Sequence, residues 1–229
     1  SVDAGLTCPN RDSTIGNKGC IFCSEKGSGE HIKYNDIQTQ IKNHLSSYRG
    51  ERANKFIAYF QNFTNTYDTL ENLKARYDAA LCDDKIVCLA IATRPDCIDE
   101  NICSLIASYK DKVDVWVELG LQTSNDETGK IINRGYDSKT FTDAIKLLNK
   151  YNIDVVTHIM VGLPNENLED IKNNVAFLLS QGEKKVITSD RVECIATDIK
   201  EVHICDLEED IQQLYKLSAW DFIKRWKMN

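Results

Sequence analysis

The chain has 229 residues, of which 42% are hydrophobic and 28% are charged, and its formal net charge is −7. This balance is typical of a globular protein and excludes disordered, collagenous and low-complexity chains. The length suits one domain or two small ones, and the acidic charge makes general binding to a phosphate backbone a poor expectation.

Apolar runs of strand length alternate with amphipathic stretches of helical spacing through most of the chain. A strand stub at residues 1–3 precedes a loop at residues 4–30 that is rich in glycine, asparagine and cysteine. The predicted elements that follow are helix 35–48, strand 55–60, helix 67–81, strand 85–92, helix 96–109, strand 113–121, helix 137–150, strand 153–161 and helix 167–180. This order predicts parallel strands with right-handed crossovers, in a complete or partial β/α barrel or in a doubly wound open sheet.

The alternation weakens after residue 182. Residues 186–199 are expected to hold one or two strands and residues 207–226 a helix, so a sixth βα unit is placed here. The expected organisation is a core barrel at residues 1–182, with a truncated first strand, and a divergent segment at residues 183–229. Since the chain begins at Ser1 and not at Met, one interpretation is a fragment that is incomplete at both ends.

No run of residues approaches the ~18 apolar positions that a membrane helix needs, and the first residues carry no signal-peptide pattern. The sequence therefore predicts a cytoplasmic protein without a membrane span. A reducing compartment also suits the odd number of cysteines, which are Cys8, Cys20, Cys23, Cys82, Cys88, Cys97, Cys103, Cys194 and Cys205.

Polar residues and glycines follow five successive predicted strands at their carboxyl ends, where parallel β/α folds build their sites. The five groups are the loop with Cys8, Cys20 and Cys23, then Gln61–Thr66, Thr93–Asp96, Glu118–Thr123 and Thr157–Pro164. Five such groups exceed what surface polarity alone predicts. One site at this edge of the sheet is therefore expected.

The cysteine loop has the spacing Cys8-x11-Cys20-x2-Cys23. Thiolates are soft ligands for zinc or for iron–sulfur clusters, and three of them leave a four-site centre one ligand short. Zinc would need a fourth ligand, for which His31 is the nearest candidate. A four-iron cluster would instead keep one iron open to a substrate or cofactor. The spacing and the glycine content favour the cluster over zinc and over three cysteines without a metal.

Several polar residues have two interpretations. Arg94 and Asp96 are expected either to cap the third helix and pair with each other or to serve the site. Glu118 lies in an apolar strand, and it is expected to be functional if its side chain points into the barrel. The cysteines at positions 82, 88, 97 and 103 are expected to be packing residues.

A family resemblance is carried by the segments CPNRDSTIGNKGCIFC, YFQNFTNTY, IATRPD, VWVELGLQT, INRGY and HIMVGLPNE, which are spread over residues 1 to about 181. They resemble the radical S-adenosylmethionine (SAM) enzymes. The match is to the YhcC-type branch, which is related to the Elongator catalytic subunit and to oxygen-independent coproporphyrinogen oxidase. The resemblance implies an α/β fold, a partial (β/α)6 TIM-like barrel.

The resemblance also implies a [4Fe–4S] cluster held by Cys8, Cys20 and Cys23, with SAM chelated by the open iron. The reduced cluster would cleave SAM to methionine and a 5′-deoxyadenosyl radical, which takes a hydrogen atom from the substrate. A flavodoxin or ferredoxin is the expected reductant. The substrate is unknown, and the kinship with Elongator allows RNA.

Motif positions imply further SAM contacts. The backbone of the segment Gln61, Asn62, Phe63 and Thr64 stands where relatives receive the SAM amino group. Gln122 stands near SAM, and Arg134 resembles an arginine that pairs with the SAM carboxylate. His158 stands at a ribose position, while Ile159 and Gly162 belong to a segment that packs the adenine. Ala92 departs from relatives that carry a ribose-binding glutamate there.

Two alternatives are kept. One is a non-enzymatic zinc- or nucleic-acid-binding module with Cys8, Cys20, Cys23 and His31 as ligands, which the acidic charge and the SAM-like motifs disfavour. The other is a degenerate fragment that binds a cluster and does not turn over.

Overall fold

The helices and strands follow one another in the predicted order. The computed structural model describes residues 1–27, 29, 36–48, 50–182 and 186–189. Its strands are β1 (Phe56–Phe60), β2 (Ile86–Thr93), β3 (Asp114–Gln122), β4 (Asp154–Met160) and β5 (Val186–Ser189). Its helices are α1 (Ile37–Leu45), α2 (Leu70–Ala80), α3 (Glu100–Ala107), α4 (Asp126–Ile131), α5 (Ser138–Lys150) and α6 (Leu168–Ser180). All the elements predicted between residues 35 and 181 are present, and α4 is an addition.

The five strands form one parallel sheet in the order β1-β2-β3-β4-β5. Val2 makes an isolated parallel bridge to Phe60, so the predicted strand stub lies beside β1. The strand order does not reverse among the described strands, which is the order of a β/α barrel and not of a doubly wound sheet. Strand β5 lies at the start of the stretch expected to hold the sixth βα unit. The helix predicted at residues 207–226 lies outside the described residues.

The two faces of the sheet are packed differently. One face contributes Leu89, Val117 and Ile159 to the main core, which it forms together with residues of the helices. The opposite face contributes Ala90 and Trp116 to a small cluster that contains strand residues only. Because side chains alternate between the faces of a strand, residues in register with this second cluster point away from the helices.

The helices begin at side-chain caps. At the start of α5, for example, Asp137 accepts a hydrogen bond from the backbone N–H of Thr140. Helix α3 begins four residues later than predicted, because Pro95 opens a separate 3-10 turn and Asp99 then provides the cap. The interpretation of Asp96 as a helix cap is therefore wrong. In the described part of the chain no helix has the length and apolar character that a membrane span requires.

Candidate functional site

The cysteine loop is closed on itself by hydrogen bonds. The backbone N–H of Arg11 donates to the carbonyl of Cys8 at 2.8 Å, and that of Cys23 donates to the carbonyl of Cys20 at 3.0 Å. The Arg11 guanidinium reaches across the loop to the carbonyls of Cys23 and Ser24, at 2.7 and 2.5 Å. One arginine side chain thus connects the start of the loop to its end.

The three thiols of this loop share one electrostatic environment. Burial raises the pKa of Cys20 to about 11, the nearby Arg94 guanidinium lowers it, and the Cys23 and Cys8 thiols raise it further. Such mutual effects on a pKa require that the groups lie near one another. Three thiols in one loop form a soft donor set, which suits iron–sulfur ligation, and the nearby Arg94 guanidinium partly offsets the effect of burial on Cys20.

The donors do not converge on one point. Within the described ranges, no group of three or more His, Cys, Asp and Glu side chains is close enough to hold a single metal ion. A four-iron cluster takes each thiolate on a different iron, so its ligands lie further apart than those of one zinc ion. His31, the fourth ligand in the zinc alternative, lies outside the described residues.

The segment after β1 is tied to both ends of the cysteine loop. The backbone N–H of Thr64 donates to the carbonyl of Thr7 at 3.2 Å, and that of Phe63 donates to the carbonyl of Gly27 at 3.1 Å. Phe63 has a positive φ of 58°, and a Cβ on Gly27 would lie 2.5 Å from its ring. This close approach requires glycine at position 27. The segment predicted to receive an amino group therefore lies against the cysteine loop.

Two side chains of this segment have buried oxygen atoms without hydrogen-bond partners in the described part of the chain. They are Asn62 Oδ1 and Thr64 Oγ1. Gly29 packs against Asn62 so closely that a Cβ would lie 1.9 Å from Asn62 Nδ2. Unpaired buried acceptors are costly, and a polar ligand can satisfy them. Gln61 is directed elsewhere, because its Oε1 accepts a hydrogen bond from Ser1 Oγ at 2.8 Å.

Arg134 lies inside the protein, and its position does not fit the predicted pairing with a ligand carboxylate. The side chain has no exposed surface. Nη1 donates to the carbonyls of Leu121 and Thr123, both at 2.6 Å. Nε donates to the carbonyl of Tyr136 at 2.9 Å, and Nη2 pairs with Asp126 at 3.0 Å. The guanidinium therefore joins the end of β3 to α4 instead of facing a ligand.

Tyr136 holds the predicted site residue Gln122 in place. Its hydroxyl donates to the side-chain oxygen of Gln122 or to the carbonyl of Gly120, both 2.8 Å away. The guanidinium groups of Arg94 and Arg134 both lie over its ring, at 4.8 and 4.7 Å from the ring centroid. The register of β3 also shifts between Gly120 and Gln122, which re-aims the glutamine at the strand end.

Arg94 pairs with Asp96 as predicted and also lies near the cysteine loop, but it does not cap the third helix. Its guanidinium forms a two-bond pair with Asp96, Nε to Oδ1 at 2.9 Å and Nη2 to Oδ2 at 2.8 Å. The same group lowers the pKa of Cys20, so it also contributes a positive charge beside the cysteine loop.

Glu118 points to the sheet face away from the helices and accepts hydrogen bonds from three side chains. Tyr59 Oη donates to Oε2 at 2.6 Å, and Trp116 Nε1 donates to Oε1 at 3.1 Å. His158 Nε2 lies 2.8 Å from Oε2. An ionised carboxylate has no proton to give, so Nε2 carries the proton and Nδ1 is the second polar atom of the ring. The inward orientation that the sequence analysis required for a functional Glu118 is therefore present.

Glu118 is ionised although it is buried. Burial alone raises its pKa, but the hydrogen bond and charge of His158, with the bonds from Tyr59 and Trp116, together bring the pKa below its usual value. Burial raises the pKa of Tyr59, and the adjacent Glu118 charge raises it further, so the phenol remains a donor. The cluster of these four side chains thus places a negative charge and an oriented imidazole on the inner face.

Glu118→Gln is expected to destabilise the protein most at neutral pH. Because the folded-state pKa lies below the unfolded one, the stabilisation from ionised Glu118 is present above the usual value of 4.5 and is lost as pH falls through the folded-state pKa. Urea unfolding at about pH 7 and about pH 4 measures the difference from wild type, which should shrink at the lower pH. A difference that does not change with pH would contradict this assignment. Glu71→Gln, an exposed carboxyl on α2, is the matched control.

The residues at the end of β4, which were predicted to contact the adenine together, lie in two different environments. The Ile159 side chain packs in the main core on the helix side, so the predicted packing on an adenine does not fit this side chain. Gly162 follows with a φ of 85°, a conformation that suits glycine. Met160 and Leu163 form a separate apolar cluster with Ile132, and Phe22 of the cysteine loop packs against it. These residues therefore form an apolar surface against the cysteine loop.

Sequence reasoning did not single out Asn10 or Tyr136 as site residues. They lie in the segments CPN and INRGY, which were noted without a role for these two positions. Met160 lies within the segment that the resemblance assigns to adenine packing, and its period-2 alternation with Ile159 places the two side chains on opposite faces of β4.

Comparison with known proteins identifies the family. A model described as the radical SAM superfamily matches residues 12–178. The chain is 40% identical over 192 residues to YtqA of Bacillus subtilis (strain 168) and 37% identical over 184 residues to YhcC of Escherichia coli (strain K12), covering 80% of this chain in each case. It spans 59% of the length of these relatives. The solved structure of the Methanocaldococcus infernus protein Elp3, with residues 1–46 deleted, has a TM-score of 0.56 at 20% identity. That match covers 79% of this chain and 43% of the Elp3 chain, and it shows a shared fold.

Proposed function

This chain belongs to the radical SAM superfamily, and from that membership we propose that it binds a [4Fe–4S] cluster and SAM and cleaves SAM reductively. The observation that supports this proposal is the cysteine loop itself. Its three neighbouring thiols are tied through Thr7 and Gly27 to a strand end whose buried oxygens have no hydrogen-bond partner among the described residues. The proposed cluster ligands therefore adjoin polar atoms that could bind a second group.

The donor set fits the cluster. Cys8, Cys20 and Cys23 would each ligate one iron, which leaves the fourth iron for SAM. The chemistry that the bound cluster supplies is one-electron reduction of SAM to methionine and a 5′-deoxyadenosyl radical, which takes a hydrogen atom from the substrate. The protein contributes the binding, orientation and exclusion of water that this chemistry requires.

Residues of this chain offer a contact for most parts of SAM. Asn62 Oδ1 and Thr64 Oγ1 have no partner in the described part of the chain, so as acceptors they suit the ammonium group. His158 would use Nδ1 for a ribose hydroxyl, since Nε2 is used by Glu118. The apolar cluster of Met160, Leu163, Ile132 and Phe22 suits the adenine. The carboxylate would be held by the open iron and not by Arg134, whose nitrogens are already bonded.

Anaerobic reconstitution with iron and sulfide tests the proposed function. We expect a brown protein with about four iron and four sulfide per chain, which forms 5′-deoxyadenosine from SAM under a strong reductant. A protein with about one zinc and no sulfide would favour the zinc-binding alternative with Cys8, Cys20, Cys23 and His31. A protein that holds the cluster and forms no 5′-deoxyadenosine would be the degenerate fragment.

Two partners belong to this proposal. A small electron carrier such as flavodoxin or ferredoxin would supply the electron, and it should replace the chemical reductant in the same assay. An RNA substrate remains the candidate that the motif resemblance implied, and the net charge of −7 disfavours it unless the contact is local.

A further inference from the structure

Asn10 is a buried polar residue two positions after the first cysteine, with 2% of its surface exposed. Its amide nitrogen donates to the carbonyl of Asn133 at 2.7 Å and to the sulfur of Cys20 at 3.6 Å. An amide NH2 group has two hydrogens, so it can serve both acceptors at once. Gly16 leaves room for the amide oxygen on the other side, where a Cβ would lie 2.3 Å from it. The amide is thereby oriented with its nitrogen toward the sulfur.

Residues 132 and 133 hold the chain on both sides of Cys20. The side chain of Asn133 donates to the carbonyl of Gly19 at 2.7 Å. The backbone N–H of Ile21 donates to the carbonyl of Ile132 at 3.1 Å. The residues before and after Cys20 are thus bonded to one segment, and Asn10 and Asn133 are 123 positions apart in the chain.

The segment of residues 132 and 133 is itself anchored to the sheet. Arg134 is the next residue, and its guanidinium is bonded to the carbonyls of Leu121 and Thr123 at the end of β3. A continuous series of hydrogen bonds therefore connects the sheet, through Arg134 and Asn133, to Asn10 and the sulfur of Cys20. A loop residue that is held in this way can keep its geometry when a cofactor binds.

We propose that Asn10 is a positioning residue that raises the reduction potential of the cluster by donating an N–H···S hydrogen bond to Cys20. The inference rests on the proposed function, since it requires a cluster ligated by Cys20. Hydrogen bonds to ligand sulfurs are among the factors that set the potential of an iron–sulfur cluster. An N–H dipole aimed at the sulfur stabilises the additional negative charge of the reduced form, so the cluster accepts its electron more readily.

The test is the midpoint potential of the reconstituted cluster in Asn10→Leu, which removes the donor at similar side-chain volume. We expect a potential that is more negative by about 59 mV, which corresponds to a tenfold smaller equilibrium constant for one-electron reduction of the cluster. Asn133→Gly is the matched control, because glycine accepts the φ of 53° and keeps the carbonyl that holds Asn10. Its potential should remain near that of the wild type, although the bond to Gly19 is lost.

An unchanged potential in N10L would overturn the inference, as would an equal shift in N133G, which would point to loop geometry in general. If N10L loses the cluster, Asn10→Ser, whose hydroxyl retains a donor, is measured and should show a smaller negative shift. If both Asn10 variants lose the cluster while N133G retains it, Asn10 is needed for cluster assembly. That result would contradict its proposed effect on the potential. A wild-type protein that assembles no cluster would contradict the proposed function, whereas a wild type that cleaves SAM beside an unshifted N10L contradicts this inference alone.

Discussion

Replacing Cys8, Cys20 and Cys23 together by alanine is expected to reduce bound iron and sulfide to background and to abolish formation of 5′-deoxyadenosine. The three thiols are the soft donors of one loop, and an iron–sulfur cluster has no comparable ligand set without them. Iron and sulfide analysis after anaerobic reconstitution measures the first effect. Chromatographic detection of 5′-deoxyadenosine measures the second.

Cys82→Ala is the matched control for this variant. Cys82 is a free, partly buried cysteine that packs against the main core, away from the loop. It should leave cluster content and SAM cleavage near wild type. The metal-free triple variant should also unfold close to the metal-free wild type, because the three thiols are only partly buried. A triple variant that binds iron and cleaves SAM as the wild type does would refute the cluster assignment.

Arg134→Met is expected to lower the free energy of unfolding by about 3–5 kcal/mol, since three carbonyl oxygens lose a donor at about 1–3 kcal/mol each. At the size of this chain such a loss corresponds to a melting temperature lower by about 10 °C. Thermal and urea unfolding of the metal-free protein measure it. The effect does not depend on SAM, because the guanidinium has no exposed surface.

Lys130→Met is the control for Arg134. Lys130 is a cation on the neighbouring helix α4, its side chain is 72% exposed, and it pairs with Glu127 on the surface. Its replacement should change stability by less than about 1 kcal/mol. If Arg134→Met instead keeps wild-type stability and only weakens SAM binding, the carboxylate-pairing role that the motif implied would be correct and the anchoring role wrong.

The helices and strands could be predicted because the spacing of their apolar residues is regular and is visible within each element. Strand β2 is a continuous apolar run, and α5 has its apolar residues at helical spacing behind the cap Asp137. Helix α4 was missed because its six residues, of which five are polar or glycine, carry no amphipathic period. The start of α3 was misplaced because a 3-10 turn and an α-helix share the same signal at Pro95.

The candidate site was predicted in part for the same reason. Ligand spacing and strand-end polarity are visible in a short stretch of sequence, so the cysteine loop and the segment at Gln61–Thr64 could be named. The burial of a side chain cannot be read from such a short stretch. The letters of the segment INRGY are compatible with an arginine that faces a ligand and with one that is enclosed by carbonyl oxygens. The packing around Arg134 selects the second.

The order of the strands and longer helices, the three-cysteine loop and the polar strand ends could be read from the amino-acid sequence, because backbone period, turn chemistry and ligand spacing act over a few neighbouring residues. The directions in which the side chains face became known from the folded chain. Folding turned Glu118 to the inner face, Ile159 into the main core and Arg134 into the interior. It also brought Asn10 and Asn133 together across the chain. Such contacts depend on how distant segments pack, and no local pattern specifies them.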